Sequence, residues 1–420
     1  MAAFDRTTLM QLLEGLARHS APGPGITRLV YDDAWIDAHR WLCAEARAVG
    51  LEASADAAGN LLFHPRELRP DPSNPPRALM VGSHLDSVRN GGRYDGAYGV
   101  IAGLMLAAEH RGGAGLPVIG FVTCEEEQSR LDGHMLGGRS LLGEIENSVL
   151  DVVKDADGVS WRQALEAARK VGCAVALAEG ARPFPPLVRP AAQLELHIEQ
   201  GPVLETSGEL LGVVERIAGY RRVRARFEGD ARHSGTTPMS LRRDALAAAA
   251  ELVLETESLA RDAGAPAVAT AGNARVSPGL YNVVPGACEL WLEVRHSELS
   301  RLDALQAELE RRARAIAARR GLSLTLETLT QQAPTELSLS LAASARQLAT
   351  ERAVSHRVMV SGAAHDTMEF ARAGIPALLL FVPSHGGISH SPDEFSEPDE
   401  LWAGLEFASE LLTRWRKEVA

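Results

Sequence analysis

One imidazole and two carboxylates fall close together at His84, Asp86 and Asp95, in the run Gly82-Ser83-His84-Leu85-Asp86-Ser87-Val88 followed by Gly91-Gly92-Arg93-Tyr94-Asp95-Gly96. The apolar run Ala78-Leu79-Met80-Val81 just before them predicts a short buried strand. A buried strand that ends in His-x-Asp is a good metal platform: His84 offers a ring nitrogen and Asp86 can orient the ring from behind. Asp95 sits on a loop where glycines let the backbone come close to a cation. Taken alone, the same run also reads as a hydrophobic strand followed by a polar turn.

Four further segments carry chemistry, each at an expected strand end or loop. Glu125-Glu126-Glu127 follow the apolar run Pro117–Cys124, and three carboxylates at the end of a buried strand are costly unless something positive meets them. A metal ligand beside a general base would account for two of them. His197 ends the strand-like Ala192–Ile198, and His390 lies in the glycine-bearing loop Gly386-Gly387-Ile388-Ser389-His390. A lone histidine is more often a hydrogen-bonded structural residue, but three at strand ends, joined by carboxylates, are harder to dismiss. His233, in Asp230-Ala231-Arg232-His233-Ser234-Gly235-Thr236-Thr237, reads either as a turn residue or as a group that completes a site when a domain closes. Arg295 projects from the polar face of Cys288–Arg295, where it can pair with Glu293 or fork onto a substrate carboxylate.

These residues need a scaffold. Helical and strand patterns alternate through the first two hundred residues: helix Asp33–Val49, the pair Leu51–Ala55 and Asn60–His64, helix Tyr98–His110, and helix Ser160–Val171. That alternation predicts an α/β domain, its mixed sheet covered by helices on both faces. Near Glu215 the pattern changes to βαββαβ. It comprises Arg222–Glu228, helix Ser240–Ala260, strands around Ala274–Val276 and Cys288–Arg295, helix Leu299–Arg320 and strand Leu322–Leu326. This is the order of a ferredoxin-like domain. The α/β pattern then returns with helix Leu339–Ala353, strand Arg357–Val360, helix Thr367–Ala373 and strand Ala377–Val382. The expected organisation is a catalytic domain in two parts, 1–214 and 329–420, interrupted by an inserted domain at 215–328.

Composition narrows the classes. The 420 residues are 45% hydrophobic and 23% charged with a net charge of −12, and no basic tract is present, which disfavours nucleic-acid binding. No apolar run reaches membrane-spanning length, and Met1–Ser20 reads as an amphipathic helix without a signal-peptide core. Cys43, Cys124, Cys173 and Cys288 form no CxxC pair and read as reduced thiols of a cytoplasmic protein.

Together these segments resemble the M20 family of dinuclear metallohydrolases, in the branch of N-carbamoyl-L-amino-acid hydrolases, β-ureidopropionases and allantoate amidohydrolases. The matching stretches are GSHLDSVRNGGRYDGAYGV, EEEQSR, LELHIEQGPVLE, GDARHSGTTPMSLRRDA, NVVPGACELWLEVRH, SGAAHD and GISHSPDE, in order from residue 82 to 394. HIEQGP with HSGTTPM points to the amidase branch instead of the peptidases. The resemblance implies a Zn-exopeptidase-like catalytic domain, an inserted lid and dimerisation domain, and a homodimer formed through it. It implies two divalent ions, zinc first, with manganese, cobalt or nickel as alternatives. His84 and His197 would hold one ion, Glu127 and His390 the other, and Asp95 would bridge them. Glu126 would be the general base and Asp86 the partner of His84. Gln200, His233, Asn282, Arg295 and Gly362 would contact substrate, with His233 also stabilising the oxyanion. The expected reaction is cleavage of a linear amide or ureido C–N bond of a small carboxylate substrate, an N-carbamoyl-L-amino acid or an allantoate-like ureide. An aminoacylase or dipeptidase is the alternative enzyme, and a catalytically silent binding protein the alternative from another class. Two departures bear on the substrate: Gln128-Ser129-Arg130-Leu131 stands where the family usually has Gly-Ser-Arg-Phe, and Glu293 stands for aspartate. Asp132–Leu136 also looks unlike the branch.

Overall fold

The computed structural model describes residues 4–419. Of the expected N-terminal helix, Arg6–Ala17 is helical, capped by the Asp5 side chain, and residues 1–3 lie outside the described range.

The chain divides into two compact units. The first runs to Glu215 and resumes over Leu337–Met359 and from His365 onward; the second comprises Arg216–Glu336 and Val360–Ala364. The second unit thus extends to 336, beyond the expected 328, because its last long strand is Ser323–Gln332 and Thr335–Glu336 still pair with Ile217 and Arg216.

The first unit is built on a mixed sheet. Its strands lie in the order Glu52–Ala55, Leu61–His64, Val118–Thr123, Arg77–His84, Arg189–Ile198, Ala377–Val382 and Leu211–Ile217. The four central strands are parallel and the outer ones antiparallel. Parallel strands are buried on both faces, which is why they read as apolar runs and not as alternating patterns. Along Arg77–His84, Leu79 and Val81 join the larger core, while Ala78 and Met80 join a second one with Phe121 and Phe370. The period of two therefore divides the side chains between helices on opposite faces.

Helix Ala97–Glu109 is buried along nearly its whole length and lies against four of these strands. The approach is at backbone distance: a Cβ on Gly99 would stand 2.5 Å from Ser83 Cβ and 2.6 Å from the Leu196 carbonyl, and one on Gly103 would stand 2.6 Å from the Val81 carbonyl.

The second unit follows the βαββαβ order: Gly219–Glu228, Ala245–Ala263, Val268–Ser277, Ala287–His296, Leu299–Arg320 and Ser323–Gln332. Its fully antiparallel sheet places the fourth strand beside the first, the first beside the third and the third beside the second. Ala225, Phe227, Leu290, Leu292 and Val294 pack with the two helices. The polar face carries cross-strand ion pairs in register, Arg222 with Glu293 and Arg226 with Glu289. The first helix begins at Ala245, not Ser240, because Asp244 caps it and a 3₁₀ turn, Met239–Leu241, precedes it. Of the four cysteines, all free, three are buried and Cys43 is half-buried.

Candidate active site

Among the described residues, four overlapping groups of metal-type donors form around the C-terminal ends of the parallel strands, the end of an open α/β sheet where ligands gather. His84 closes Arg77–His84 and His197 lies one residue before the end of the adjacent Arg189–Ile198. Adjacent strands lie about 4.8 Å apart, and the two imidazoles stack with ring centres 5.9 Å apart. Asp95 enters from the loop before Ala97–Glu109. Its Oδ1 is 3.1 Å from His197 Nε2 and 3.7 Å from His84 Nε2. The other oxygen, Oδ2, is 3.2 Å from His390 Nε2, which is 3.0 Å from Glu127 Oε1. Asp95 is thus common to a His84–His197 group and a Glu127–His390 group.

The orientation of these donors fits cations. His84 Nδ1 is 2.9 Å from the Asp86 carbonyl and His197 Nδ1 is 2.8 Å from the Ile198 carbonyl. A ring nitrogen facing a carbonyl must carry a proton, so in the neutral ring each Nε2 presents a lone pair. The Gly96 amide donates to His197 Nε2 at 3.2 Å, consistent with that tautomer. Both lone pairs face Asp95 Oδ1, a buried oxygen with no hydrogen-bond partner. Converging lone pairs on a carboxylate oxygen repel one another unless a positive charge sits among them. Histidine and carboxylate donors suit zinc, and also manganese, cobalt or nickel.

Where no cation sits between them, the rings can instead take a second proton: burial opposes ionisation of Asp95, but hydrogen bonds from His197, His390 and His84 outweigh it and hold the carboxyl well below its usual range. Asp95 and Glu127 in turn raise His390 to about 10. Glu126 is 9% exposed. Burial pushes it well above the usual carboxylate range, reinforced by Glu127, Asp366 and Asp86 against an opposing pull from His84. A carboxylate at this position with a high proton affinity is suited to accept a proton.

Asp86 stands behind His84, its Oδ1 3.6 Å from Nδ1, and it also does more than the expected orientation of the ring. The backbone carbonyl of Asp86 holds the ring, and its carboxylate, fully buried, accepts the amides of Glu126 at 2.9 Å and Glu127 at 3.1 Å. One residue thereby links the histidine strand to the glutamate loop. The third glutamate is also explained: Glu125 accepts the amides of Arg130 and Leu131 and the Ser129 hydroxyl, bracing the turn after Glu127. Burial, aided by the Asp86 charge, raises it to about 8. Sequence reasoning assigned no role to Glu125, Glu199 or Glu394. Glu199 accepts the amides of Val203 and Leu204, and Glu394 those of Tyr94 and Asp95. The usable signal was an acid embedded in each ligand motif.

Gln200 joins this neighbourhood. Its Nε2 donates to Asp95 Oδ2 at 3.1 Å and to Ser389 Oγ at 3.2 Å, leaving a buried Oε1 without a partner.

The remaining expected substrate contacts belong to the second unit. His233 pairs with Val283, next to Asn282, whose carbonyl accepts the Ser234 amide. His233 is exposed and its Nδ1 accepts the amides of Gly235 and Thr236, so the ring presents Nε2–H as a donor. Arg295 does pair with Glu293, at 2.6 Å, and its Nη1 donates to the Gly362 carbonyl at 2.6 Å. Those bonds use two of five guanidinium donors.

Known proteins place the chain. Residues 80–414 match the family described as Peptidase family M20/M25/M40. The chain is 37% identical to an N-carbamoyl-L-amino-acid amidohydrolase of Paenarthrobacter aurescens, over 94% of this chain and 95% of the relative. It is 32% identical to an allantoate amidohydrolase of Bacillus subtilis (strain 168), over 97% of each. In three dimensions it is similar to an amidase of the hydantoinase/carbamoylase family from Burkholderia multivorans, with a TM-score of 0.86 and 29% identity over 98% of both chains. Family, fold and donor set agree: the chain belongs to the M20/M25/M40 family, in its hydantoinase/carbamoylase amidase branch, and is a metal-dependent hydrolase of carbon–nitrogen bonds other than peptide bonds.

Proposed function

We propose that this hydrolase uses two divalent ions to cleave the linear ureido or amide C–N bond of an N-carbamoyl-L-amino acid or an allantoate-like substrate. The observation that carries the reading is the pair of donor groups sharing Asp95, with the buried Glu126 beside them. His84, His197 and Asp95 would hold one ion, and Asp95, Glu127 and His390 the other. Bound there, the ions would lower the pKa of a shared water and polarise the scissile carbonyl.

Glu126 takes the proton from the attacking water and returns it to the leaving nitrogen. His233 offers Nε2–H to the developing oxyanion. Arg295, its remaining donors held in plane by Glu293 and Gly362, binds the substrate carboxylate together with Asn282. The orphaned Gln200 Oε1 accepts an N–H of the substrate. An N-carbamoyl substrate would yield the amino acid, carbon dioxide and ammonia.

We further propose a homodimer formed through the second unit. One of its two edge strands, Val268–Ser277, is largely exposed, and Leu254 and Val268 are 66% and 51% exposed. Open strand edges and apolar patches are surfaces that pair.

The substrate is tested by loading the protein with zinc, manganese, cobalt or nickel. Ammonia release from N-carbamoyl amino acids and allantoate is then compared with amine release from N-acetyl amino acids and dipeptides. Faster turnover of the acyl compounds would replace this reading with an aminoacylase or dipeptidase. No turnover with any metal would leave a binding protein. Light scattering of the purified chain tests the dimer, and a monomer at micromolar concentration would reject it.

A further inference from the structure

Asp95 and His390 stand on loops far apart in sequence, yet both belong to the same donor group. Glu394 is where those loops meet. Its carboxylate, 3% exposed, accepts the amides of Tyr94 at 2.8 Å and Asp95 at 3.1 Å through Oε1, and the Ser389 hydroxyl at 3.0 Å through Oε2. Ser389 Oγ in turn accepts from Gln200 Nε2, which also donates to Asp95 Oδ2. A buried carboxylate is costly unless its oxygens are satisfied, and here every partner lies on a loop that carries a donor or contacts one. His390 itself holds φ at +54°, a left-handed conformation that a non-glycine residue keeps only where its surroundings over-determine it. Gly92 completes the fit: a Cβ there would lie 2.0 Å from the Glu394 carboxyl carbon, so the carboxylate occupies space that any other residue would claim.

We propose that Glu394 is a positioning residue that fastens the Asp95 loop to the His390 loop and so forms the second ion subsite, Asp95–Glu127–His390. The proposal rests on the two-ion reading above. Removing the clamp would release Asp95 Oδ2 and His390 from each other, while the His84–His197 side stays anchored on its strands.

The test uses the full chain as wild type, Glu394→Ala, Glu394→Gln, Gly92→Ala and the Glu394→Ala/Gly92→Ala double variant. Zinc bound per chain is measured against buffered free zinc, alongside thermal unfolding. The wild type should bind two ions. Glu394→Ala should weaken the second by about tenfold or more and the first much less, because His84 and His197 stay on their strands while only Asp95 is shared. Glu394→Gln should largely restore it, since the amide oxygen can accept both backbone amides and the NH₂ can donate to Ser389. Gly92→Ala should reproduce the Glu394→Ala loss by displacing the carboxylate, and it carries the same readout should Glu394→Ala not fold. In the double variant the second change should add nothing, because Glu394→Ala has already emptied the space that the new methyl group enters. The clamp is overturned if Glu394→Ala binds both ions as the wild type does, if both affinities fall equally, or if the two substitutions are additive. A wild type that binds one ion refutes the two-ion reading and the clamp with it; two ions in both wild type and Glu394→Ala refute the clamp alone.

Discussion

Gln128, next to Glu127, is an exposed residue whose backbone has φ of +52°, in the left-handed region. For a residue with a Cβ that conformation costs about 1–2 kcal/mol. Replacing it by glycine removes the strain but gives the unfolded chain extra freedom, a loss of about 0.5–1 kcal/mol. Relief of strain outweighs that loss, so Gln128→Gly should stabilise the first unit by roughly 0.5–1 kcal/mol, an upward shift of about 1–2 °C for a unit of this size. Gln128→Ala is the control: it keeps the Cβ and the strain, and should stay within about 0.5 kcal/mol of the wild type. At an ordinary exposed site alanine is the more stable of the two, so the expected order is reversed. Urea and thermal unfolding of the three proteins, with the metal content equalised, would check this. Glycine equal to or less stable than alanine would refute the argument, because it would mean the turn held by Glu125 imposes no strain at this position.

Glu126→Gln should lower kcat by about 10²- to 10⁴-fold while both ions remain bound, and retained turnover would remove the base assignment. Arg295→Ala should raise KM for carboxylate substrates by about 10- to 100-fold with kcat changed far less, because lost charge-assisted bonds weaken binding throughout. Asp366 is raised to about 8 by burial and by the Glu195 charge. Its folded form thus keeps a proton that the unfolded chain releases near 3.8, so its stabilising effect is complete below about pH 4 and is lost as pH rises towards 8. Asp366→Asn should therefore gain stability relative to the wild type between about pH 5 and pH 8; urea midpoints that differ equally at both pH values would reject this.

The parts of the site legible in the sequence are those that follow local pattern. His84 and His197 end apolar runs, and a run buried on both faces of a parallel sheet is conspicuous. The second unit's core strands are visible through the alternation of Val223, Ala225 and Phe227. One of its two edge strands shows only at Ala274–Val276, although it spans Val268–Ser277, because most of its side chains are exposed and the alternating signal is lost. Strand Leu211–Ile217 escapes notice: it lies across the change of unit at Glu215, where two patterns meet. Asp86 does stand beside His84 as expected, but its carboxylate serves the amides of Glu126 and Glu127, a pairing that depends on two adjacent strand ends. The same limit hides Glu125 and Glu394. An acid that accepts backbone amides leaves no periodicity, and its partners become neighbours only after folding.

The glycine-lined seat of helix Ala97–Glu109 determines where this enzyme is vulnerable. The helix begins two residues after Asp95, so Asp95 rides on the end of a rod whose height above the sheet is set at Gly99 and Gly103. Gly103 is about 12 Å along the axis from Asp95 at 1.5 Å per residue. A single methyl there would lift the rod, and a shift near 1 Å at reacting groups can cost about a hundredfold in rate. Natural variants ranked by distance from the site would class such a change as harmless. On this scaffold, inheritance of function runs along the helix axis, through residues that touch neither substrate nor donor.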